Sequence, residues 1–159
     1  MSSLSRQFSN IKKITNHQDK RAIVFINADF SNCATLIQQV IPEIRVIVIN
    51  PQADGVREIT RIMYSSYCRE IYIISQGLPG CIYIGNTELS LNTLIRYSSE
   101  LESWFNHIFD TDLDSPTVYL YGCDAAAGDV GEEFLTKLSS TVGATIAASA
   151  KVRKNNIFN

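Results

Sequence analysis

The sequence places a cysteine and a glutamine directly after two apolar, β-favouring runs that lie about one crossover apart. Residues 119–124 end in Gly-Cys-Asp, which presents the thiol of Cys123, and residues 73–77 end in Ser-Gln-Gly, which presents the amide of Gln76. Buried parallel strands end in this abrupt way where they bring side chains to the edge of a sheet. A thiol there is a candidate nucleophile, but it needs a neighbouring base. Because an amide has no usable pKa for proton transfer, the pair predicts a nucleophile position without its base.

The residues at the other predicted strand ends belong to the same edge of the sheet. In a parallel sheet, ligands and catalytic groups gather outside the carboxyl ends of the strands, near the point where the strand order reverses. Besides Gln76 and Cys123, this rule selects Asn27, Asp29, Asn50, Ser75, Gly77, Gly122 and Asp124. If the third and fourth strands are neighbours, the backbones at Gln76 and Cys123 lie about 5 Å apart, so the two side chains share one pocket.

Each of these residues also has a purely structural interpretation. Cys123 suits a small buried thiol, because free cysteine is among the most buried residue types. Gly77 suits a tight turn, and Asp29 suits a cap on the helix that follows. Position alone therefore leaves the structural and the functional interpretation of Cys123 open.

The two histidines are poor substitutes for the missing base. His107 comes late in a helical pattern, close to the loop that enters the fourth strand, so we expect it at the opposite, amino end of the sheet. A histidine near a helix C-terminus interacts favourably with the helix dipole there. His17 lies in a polar lead-in. Neither position supplies a base beside Cys123.

No metal site and no cofactor are expected. The four cysteines, Cys33, Cys68, Cys81 and Cys123, contain no C-x-x-C pair, and two histidines are too few for a well-supported zinc site. The acidic residues between 124 and 133 are typical of negative charge at a helix N-terminus. A domain of this size does not need disulfides, which favours thiols, although spacing alone does not exclude disulfides.

The elements that position these residues alternate between strands and helices. The predicted strands are 21–27, 44–50, 70–75, 117–121 and 144–148. The predicted helices lie ahead of Pro42, with Asp29 and Ser31 as caps, from about Val56 to near Tyr67, and over 92–109 and 128–141. This alternation predicts a mostly parallel sheet with right-handed crossovers.

Two segments depart from that alternation or stand out within it. Residues 81–89 alternate in polarity and turn at Gly85-Asn86, which predicts a short antiparallel hairpin after the third strand. Residues 92–109 carry the longest helical pattern, and 110–116 form a polar loop. The candidates for the buried face of that helix are Leu94, Ile95, Leu101, Trp104, Phe105 and Ile108.

We therefore predict a three-layer α/β/α sandwich with helices on both faces of the sheet, plus the hairpin. One domain is expected over residues 21–150, preceded by a weakly ordered lead-in over 1–20. A short basic tail follows over 151–159 and stops soon after a strand, which is typical of an early end or a truncated chain. At 159 residues, such a domain buries about two-thirds of its unfolded surface in one core.

Composition argues against several classes of partner. With a net charge of -2, the chain lacks the excess of positive charge that favours binding to nucleic acid or anionic lipid. No apolar run approaches the roughly 20 residues of a membrane helix, so neither a nucleic-acid nor a membrane partner is expected. Residues 1–20 lack the apolar core of a secretory signal, which makes the cytoplasm the default location. The oligomeric state is left open.

Residues 74–89, 119–128 and 145–149 together resemble the DUF4347 family, and the resemblance extends over about 21–149. That domain is common in cyanobacteria and other bacteria, often at the front of very large secreted proteins, so export without an amino-terminal signal is the alternative location. The family is similar in pattern to the caspase-like cysteine peptidases of clan CD. The resemblance implies a Ser-His-Gly after the third strand and a Gly-Cys-Asp after the fourth. It also implies a cysteine–histidine dyad and a glycine N–H that stabilises an oxyanion.

By this resemblance, Cys123 matches the nucleophile, Gly77 the oxyanion-side glycine and Gln76 the histidine. The last match is a departure, because glutamine can hold a hydrogen bond but cannot transfer protons. A Thr-Gly turn and a Gly-Gly-x-Trp element, which the family pattern places beyond the fifth strand, are also missing after Ser149.

Two functions are consistent with these residues. In the first, the chain is a degenerate caspase-like domain without peptidase activity that binds or assembles with a protein or peptide partner, through its pocket or a sheet edge. In the second, it is a cysteine peptidase or other hydrolase, with Cys123 activated by a group other than Gln76. Loss of the base lowers the rate by about 10²–10⁴-fold, which favours the first.

Overall fold

The computed structural model describes residues 22–108, 115–150 and 157–158. The strands are β1 (Ile23–Asn27), β2 (Arg45–Ile49), β3 (Glu70–Ile74), β4 (Gly77–Leu78), β5 (Cys81–Ile84), β6 (Thr87–Ser90), β7 (Thr117–Tyr121) and β8 (Thr145–Ser149). The helices are α1 (Cys33–Gln39), α2 (Gly55–Met63), α3 (Ser98–Ser103) and α4 (Gly128–Val142), and a 3-10 turn (Leu94–Tyr97) precedes α3. Within these ranges, no helix has the length and apolar character needed to cross a bilayer.

A five-stranded sheet in the order β2-β1-β3-β7-β8 forms the centre of the fold. All of its pairings are parallel, which confirms the predicted sheet. β1 and β3 lie inside the sheet and are buried almost throughout, and this explains their near-continuous apolar sequences. The chain passes from β1 to β2 on one side and then returns to β3 on the other. The strand order therefore reverses between β1 and β3.

Helices cover both faces of this sheet, as predicted. On one face, α2, α3, α4 and a small second sheet pack against inward residues such as Ile73 and Leu120. On the other face, α1 packs together with Ile157 and Phe158. Phe158 also forms an isolated antiparallel bridge with Val40, just after α1. The described residues thus form three layers.

The predicted hairpin is present as part of a small antiparallel sheet with the order β4-β5-β6. The chain reverses at Gly85-Asn86, and Gly85 has a φ of 61°, in the left-handed region that glycine tolerates. The buried side chain of Asn27 ties this turn to the end of β1. Its Nδ2 donates to the carbonyl oxygen of Tyr83 at 2.8 Å, and its Oδ1 accepts from the N–H of Gly85 at 3.1 Å. The hairpin is therefore anchored at the point where the strand order reverses.

The long helix predicted over 92–109 is wrong. The segment instead contains the 3-10 turn, the short helix α3 and further turns. In a 3-10 turn, residues three apart share a face, so Leu94 and Tyr97 are buried while Ile95 is 82% exposed. The other predicted core residues Leu101, Trp104 and Phe105 are buried, and Ile108 is half-buried. Among the described helices, α4 is the longest.

Serine hydroxyls help to explain why two predicted helices are short. Ser98 and Ser103 donate to carbonyl oxygens three residues earlier in and around α3. α2 ends at Met63 instead of near Tyr67, and the hydroxyl of Ser66 in the following turn accepts a backbone N–H bond. Such local side-chain bonds offer the backbone an alternative to continued helix.

The predicted caps of α1 are also wrong. Neither Asp29 nor Ser31 caps this helix. Its N-cap position is Asn32, which has a φ of 61° and makes no capping side-chain hydrogen bond. Two successive turns around Phe30 carry the chain from β1 into α1, and asparagine tolerates the left-handed conformation that this path requires.

The remaining boundaries agree closely with prediction. The strands of the central sheet and helix α4 lie within two residues of their predicted ends, and 117–121 matches at both ends. The lead-in over 1–20, most of the predicted loop over 110–116 and residues 151–156 lie outside the described residues.

Candidate functional site

Cys123 lies just beyond β7, at the carboxyl edge of the central sheet. Gly122 precedes it with a φ of 86°, and a Cβ at that position would lie 2.5 Å from the ring of Phe30. Only glycine fits this turn without strain and steric overlap. The turn directs Cys123 to the face of the sheet that packs against α2, α3 and α4, where the residue is only 4% exposed.

Gly77 lies directly against Cys123. A Cβ at position 77 would lie 2.8 Å from the Cβ of Cys123 and 2.5 Å from the carbonyl oxygen of Cys81. Carbon atoms do not approach this closely without repulsion, so the absence of a side chain at Gly77 permits the contact. The segments that follow β3 and β7 therefore meet here, as the sequence predicts.

Gln76 immediately precedes β4. Its side chain is exposed. Its backbone carbonyl oxygen accepts a hydrogen bond of 3.0 Å from the backbone N–H of Tyr83. Along an antiparallel ladder, hydrogen-bonded and non-hydrogen-bonded pairs alternate. The next pair, Gly77 with Ile82, is therefore non-hydrogen-bonded, and the N–H of Gly77 points away from β5. The site thus combines the exposed amide side chain of Gln76 with the N–H of Gly77, which is not used in the hydrogen bonds between β4 and β5.

The surroundings of Cys123 disfavour its thiolate. Burial raises the pKa of the Cys123 thiol above its ordinary value. A hydrogen bond from the backbone N–H of Ala125 lowers this pKa, while the charges of Asp124 and Cys81 raise it, and the net shift is upward. The thiolate is the nucleophilic form of cysteine. At neutral pH, Cys123 is therefore held as the neutral thiol.

A pocket of about 190 Å³ opens beside Cys123. It is lined by Cys123, Asp124, Ala126, Ala127, Ala148, Ser149 and Ala150. Apart from the carboxylate of Asp124, these side chains are short and uncharged. Pockets for small organic ligands are usually larger, roughly 300–1,000 Å³, so this one suits a single side chain of a peptide. In the described part of the chain, His, Cys, Asp and Glu form no group of three that could hold a metal ion.

The match to a known sequence family covers this whole site. A family model described as "Domain of unknown function (DUF4347)" matches residues 23–155. The chain belongs to this family. No curated protein and no solved structure matches it. Gln76, Gly77 and Cys123 all lie within the matched range, so the site is part of the DUF4347 domain itself.

Five of the predicted site residues do not line this pocket: Asp29, Ser75, Gln76, Gly77 and Gly122. Ser75 is 1% exposed, and its Oγ has no hydrogen-bond partner among the described residues. Asp29 is exposed beyond β1, where its charge adds to the effect of burial in raising the pKa of the Cys33 thiol at the start of α1. Of the predicted residues, Asp124 lines the pocket with Cys123.

His107, the histidine among the described residues, lies at the opposite end of the central sheet from Cys123. His107 makes edge-on ring contacts with Tyr64 and Tyr67, with centroid distances of 5.8 and 5.9 Å. Both tyrosines follow α2 and precede β3, so His107 lies at the amino end of the sheet, as predicted. His17 lies outside the described residues.

Sequence reasoning missed the neighbours of Cys123 on the small sheet of the DUF4347 domain. The sequence predicts a thiol at Cys81 and assigns it no role in the site. In the structure, burial raises the pKa of Cys81, a hydrogen bond with the hydroxyl of Tyr83 lowers it, and Glu88 raises it. Cys81 also acts electrostatically on Cys123. The Pro-Gly turn directly before Cys81 is the available signal, because it folds the chain back beside Gly77.

Proposed function

We propose that this DUF4347 domain is a caspase-like domain that has lost peptidase activity and binds a protein or peptide partner. The observation that carries the proposal is the combination of an exposed amide, Gln76, with a buried neutral thiol, Cys123. Peptide cleavage requires a group that takes the thiol proton and returns it to the leaving amine. The groups that act on Cys123 are a backbone N–H, a second thiol and Asp124, whose charge disfavours the thiolate.

The order of the strands supports the caspase-like part of the proposal. The third and fourth parallel strands along the chain, β3 and β7, are neighbours in the sheet. The segments after them hold Gln76 and Cys123, the positions that the resemblance assigns to the base and the nucleophile. Gly77, at the oxyanion-side position, contacts Cys123. The arrangement is thus compatible with a site whose geometry persists while one reacting group is replaced.

The size of the catalytic deficit supports loss of activity. A positioned acid–base group contributes about 10²–10⁴-fold to the rate, and Gln76 cannot supply it. The raised pKa of Cys123 reduces the thiolate population further. Both effects act on the same step, attack by sulfur, so residual turnover is expected to be very slow.

The surface beside the thiol supports a binding function. The pocket accepts one short side chain, and Asp124 at its rim provides a carboxylate for a hydrogen-bond donor on the partner. On the neighbouring small sheet, Leu78 is 58% exposed and Tyr83 is also exposed. Together these features suit a peptide segment of a partner protein better than a compact small molecule.

A comparison of three proteins tests the loss of activity: the unchanged chain, Gln76→His, and Gln76→His combined with Cys123→Ser. Each is incubated with a library of peptides, and cleavage is followed by mass spectrometry. We expect no cleavage by the unchanged chain. Cleavage that appears in Gln76→His and disappears with Cys123→Ser would indicate an otherwise intact pocket. Cysteine-dependent cleavage by the unchanged chain, at a rate similar to Gln76→His, contradicts the proposal.

Partner binding is tested separately by filling the pocket. Ala127 lines the pocket and is exposed, so Ala127→Phe blocks it without disturbing the core, whereas the equally exposed Ala34 on α1 provides the control Ala34→Phe. A displayed peptide library is selected against the unchanged chain. We expect selected peptides to lose affinity for Ala127→Phe and keep it for Ala34→Phe and Cys123→Ser. Equal affinity for all of these variants argues against the pocket as the binding surface.

A cysteine hydrolase with an atypical base is the second candidate. It is favoured by the hydrogen bond from the Ala125 N–H, which stabilises the Cys123 thiolate, and by the N–H of Gly77, which points away from β5 and provides a donor for a developing oxyanion. Under this alternative, the unchanged chain reacts covalently at Cys123 with a peptide-based electrophile.

A further inference from the structure

β8 is an edge strand of the central sheet, and half of its backbone groups point away from the sheet. The N–H of Thr145 donates to the carbonyl oxygen of the residue before β7 at 2.9 Å, and the carbonyl oxygen of Ser149 accepts from the residue after β7 at 3.0 Å. In a parallel sheet, every second residue of a strand directs both its N–H and its C=O to the same neighbour. The backbone groups of Ile146 and Ala148 therefore point away from β7, and no other described strand pairs with them.

The apolar layer between β8 and α4 is incomplete at this edge. Ile146 and Ala148 pack against the core on the α4 side but are only half-buried, as is Leu135 on α4. Leu120, which pairs with Ala148 from the inner strand β7, is fully buried. Residues 157–158 pack on the opposite face of the sheet, so they do not cover this edge. A further strand beside β8 would bury these half-exposed apolar side chains.

Two cavities border β8 on the α4 side. One is the pocket beside Cys123, whose wall includes Ala148. The other has a volume of about 440 Å³ and is lined by Leu135, Thr136, Ser139, Ser140, Thr145 and Ile146. Ile146 and Ala148 lie two residues apart, which is about 6.6 Å along a strand. A strand paired with β8 presents its own alternate side chains at the same spacing, so one strand can fill both cavities.

We propose that the partner binds as an extended peptide segment that adds a sixth strand to the central sheet beside β8. This mode rests on the proposed partner binding and specifies its geometry. Backbone hydrogen bonds to Ile146 and Ala148 provide affinity, and the cavities select alternate side chains of the peptide. The pocket beside Cys123 takes a short side chain, and the larger cavity beside Ile146 takes an aliphatic or hydroxyl-bearing one.

The charges around the edge favour a peptide with a basic residue at one end. Asp124 lines the pocket beside Cys123, and Glu132 lies one turn before Thr136 on the same flank of α4. A lysine or arginine of the peptide complements these two carboxylates. β8 itself carries no charge, whereas β2, at the other edge of the sheet, begins with Arg45. Because charged side chains on an edge strand hinder the addition of another strand, β8 is the edge that accepts the peptide.

Hydrogen-exchange NMR on the unchanged chain tests this mode, with heptapeptides selected from a displayed library as the probe. We expect the N–H groups of Ile146 and Ala148 to exchange about 10-fold more slowly at a free peptide concentration of about ten times its Kd, because exchange then requires dissociation. The N–H groups of Val46 and Val48 are the internal control. They point away from β1 at the β2 edge, so their exchange rates should not change.

A pair of substitutions at one position separates the backbone contact from the side-chain contact. Ala148→Pro removes the outward N–H, and proline is tolerated where the N–H of an edge strand points to solvent. Ala148→Val has a side chain of similar size and keeps the N–H. We expect Ala148→Pro to weaken peptide binding at least about fivefold more than Ala148→Val, which corresponds to the loss of one hydrogen bond. Val48→Pro, the matched change on β2, should leave the affinity unchanged.

The possible failures of the two proposals are distinguishable. Peptides that bind without slowing exchange at Ile146 and Ala148, or that lose affinity equally for Ala148→Pro and Ala148→Val, overturn strand addition and leave peptide binding in place. A library that contains no binder overturns both proposals. Protection of these N–H groups without peptide that increases with protein concentration overturns strand addition by a partner, because a second copy of the chain then occupies the edge. The exchange measurement uses the unchanged chain, so it does not rely on a variant that folds.

Discussion

Replacing Asn27 with alanine should detach the small sheet from the central sheet. Asn27→Ala removes the hydrogen bond to the Tyr83 carbonyl at 2.8 Å and the one from the Gly85 N–H at 3.1 Å. Each bond contributes about 1 kcal/mol net, and a buried group left without a partner costs about 1–3 kcal/mol. Asn27 is 4% exposed, and the loss of its side chain leaves the Tyr83 carbonyl and the Gly85 N–H without these partners. We therefore expect the free energy of unfolding to fall by about 2–4 kcal/mol.

Urea unfolding and amide hydrogen exchange measure this effect. Exchange should accelerate most over 81–90, since these residues form β5 and β6. Asn86→Ala is a matched control in the same turn, because the exposed Asn86 side chain makes one hydrogen bond, to the Gln52 carbonyl at 2.8 Å. Its cost should stay below about 1 kcal/mol. Equal losses in the two variants, or unchanged exchange over 81–90 in Asn27→Ala, would refute the proposed anchoring role.

Two further substitutions test the N-cap of α2, which is Asp54, and the contact between Gly77 and Cys123. Burial raises the pKa of Asp54, but hydrogen bonds from two hydroxyls and a backbone N–H, together with the charge of Arg57, outweigh burial and lower the pKa overall. Its carboxylate therefore adds stability that is complete above the unfolded pKa of about 3.9 and is lost as the pH falls through the folded value. In urea unfolding, Asp54→Asn should be less stable than the unchanged chain at neutral pH and should approach it in acid, whereas a constant difference contradicts this assignment. Gly77→Ala should cost about 1–3 kcal/mol and alter the alkylation rate of Cys123. Gly143→Ala is the control, because the added Cβ has nothing within 4 Å and the φ of Gly143 is 74°. It should cost about 1–2 kcal/mol of backbone strain and leave the alkylation rate of Cys123 unchanged. Identical effects of the two glycine variants on alkylation would count against the contact.

The central sheet could be predicted because its strands carry the information locally. β1 and β3 lie between other strands and are apolar on both faces, and β7 is followed directly by Gly122, which has a positive φ. The hairpin was predictable from Gly85-Asn86 for the same reason. The segment over 92–109 was not, because its apolar residues fit a continuous helix equally well. The choice of a 3-10 turn over Leu94–Tyr97 depends on local hydrogen bonds and on packing that periodicity does not encode.

The site could be predicted only as far as strand ends determine it. The positions of Cys123 and Gly77 follow from β7 and β3, so the sequence placed them at one edge. The contact between Gly77 and the backbone of Cys81 depends on how the hairpin folds back over that edge, and the anchoring role of Asn27 depends on bonds to residues 56 and 58 positions away. The bridge from Val40 to Phe158 is likewise a contact between distant segments. Such contacts are set by tertiary packing, which no local pattern reports.

The pH dependence of alkylation at Cys123 distinguishes a buried neutral thiol from an activated nucleophile. The folded chain reacts with iodoacetamide and is then digested with trypsin, and labelling is followed on peptide 97–137, whose one cysteine is Cys123. The same peptide from a chain labelled while unfolded supplies the reference. We predict an apparent pKa above that of the unfolded reference and no reaction with a peptide-based electrophile. An apparent pKa below the reference, together with rapid labelling of Cys123 by that electrophile, would show an activated nucleophile and contradict the proposed loss of peptidase activity.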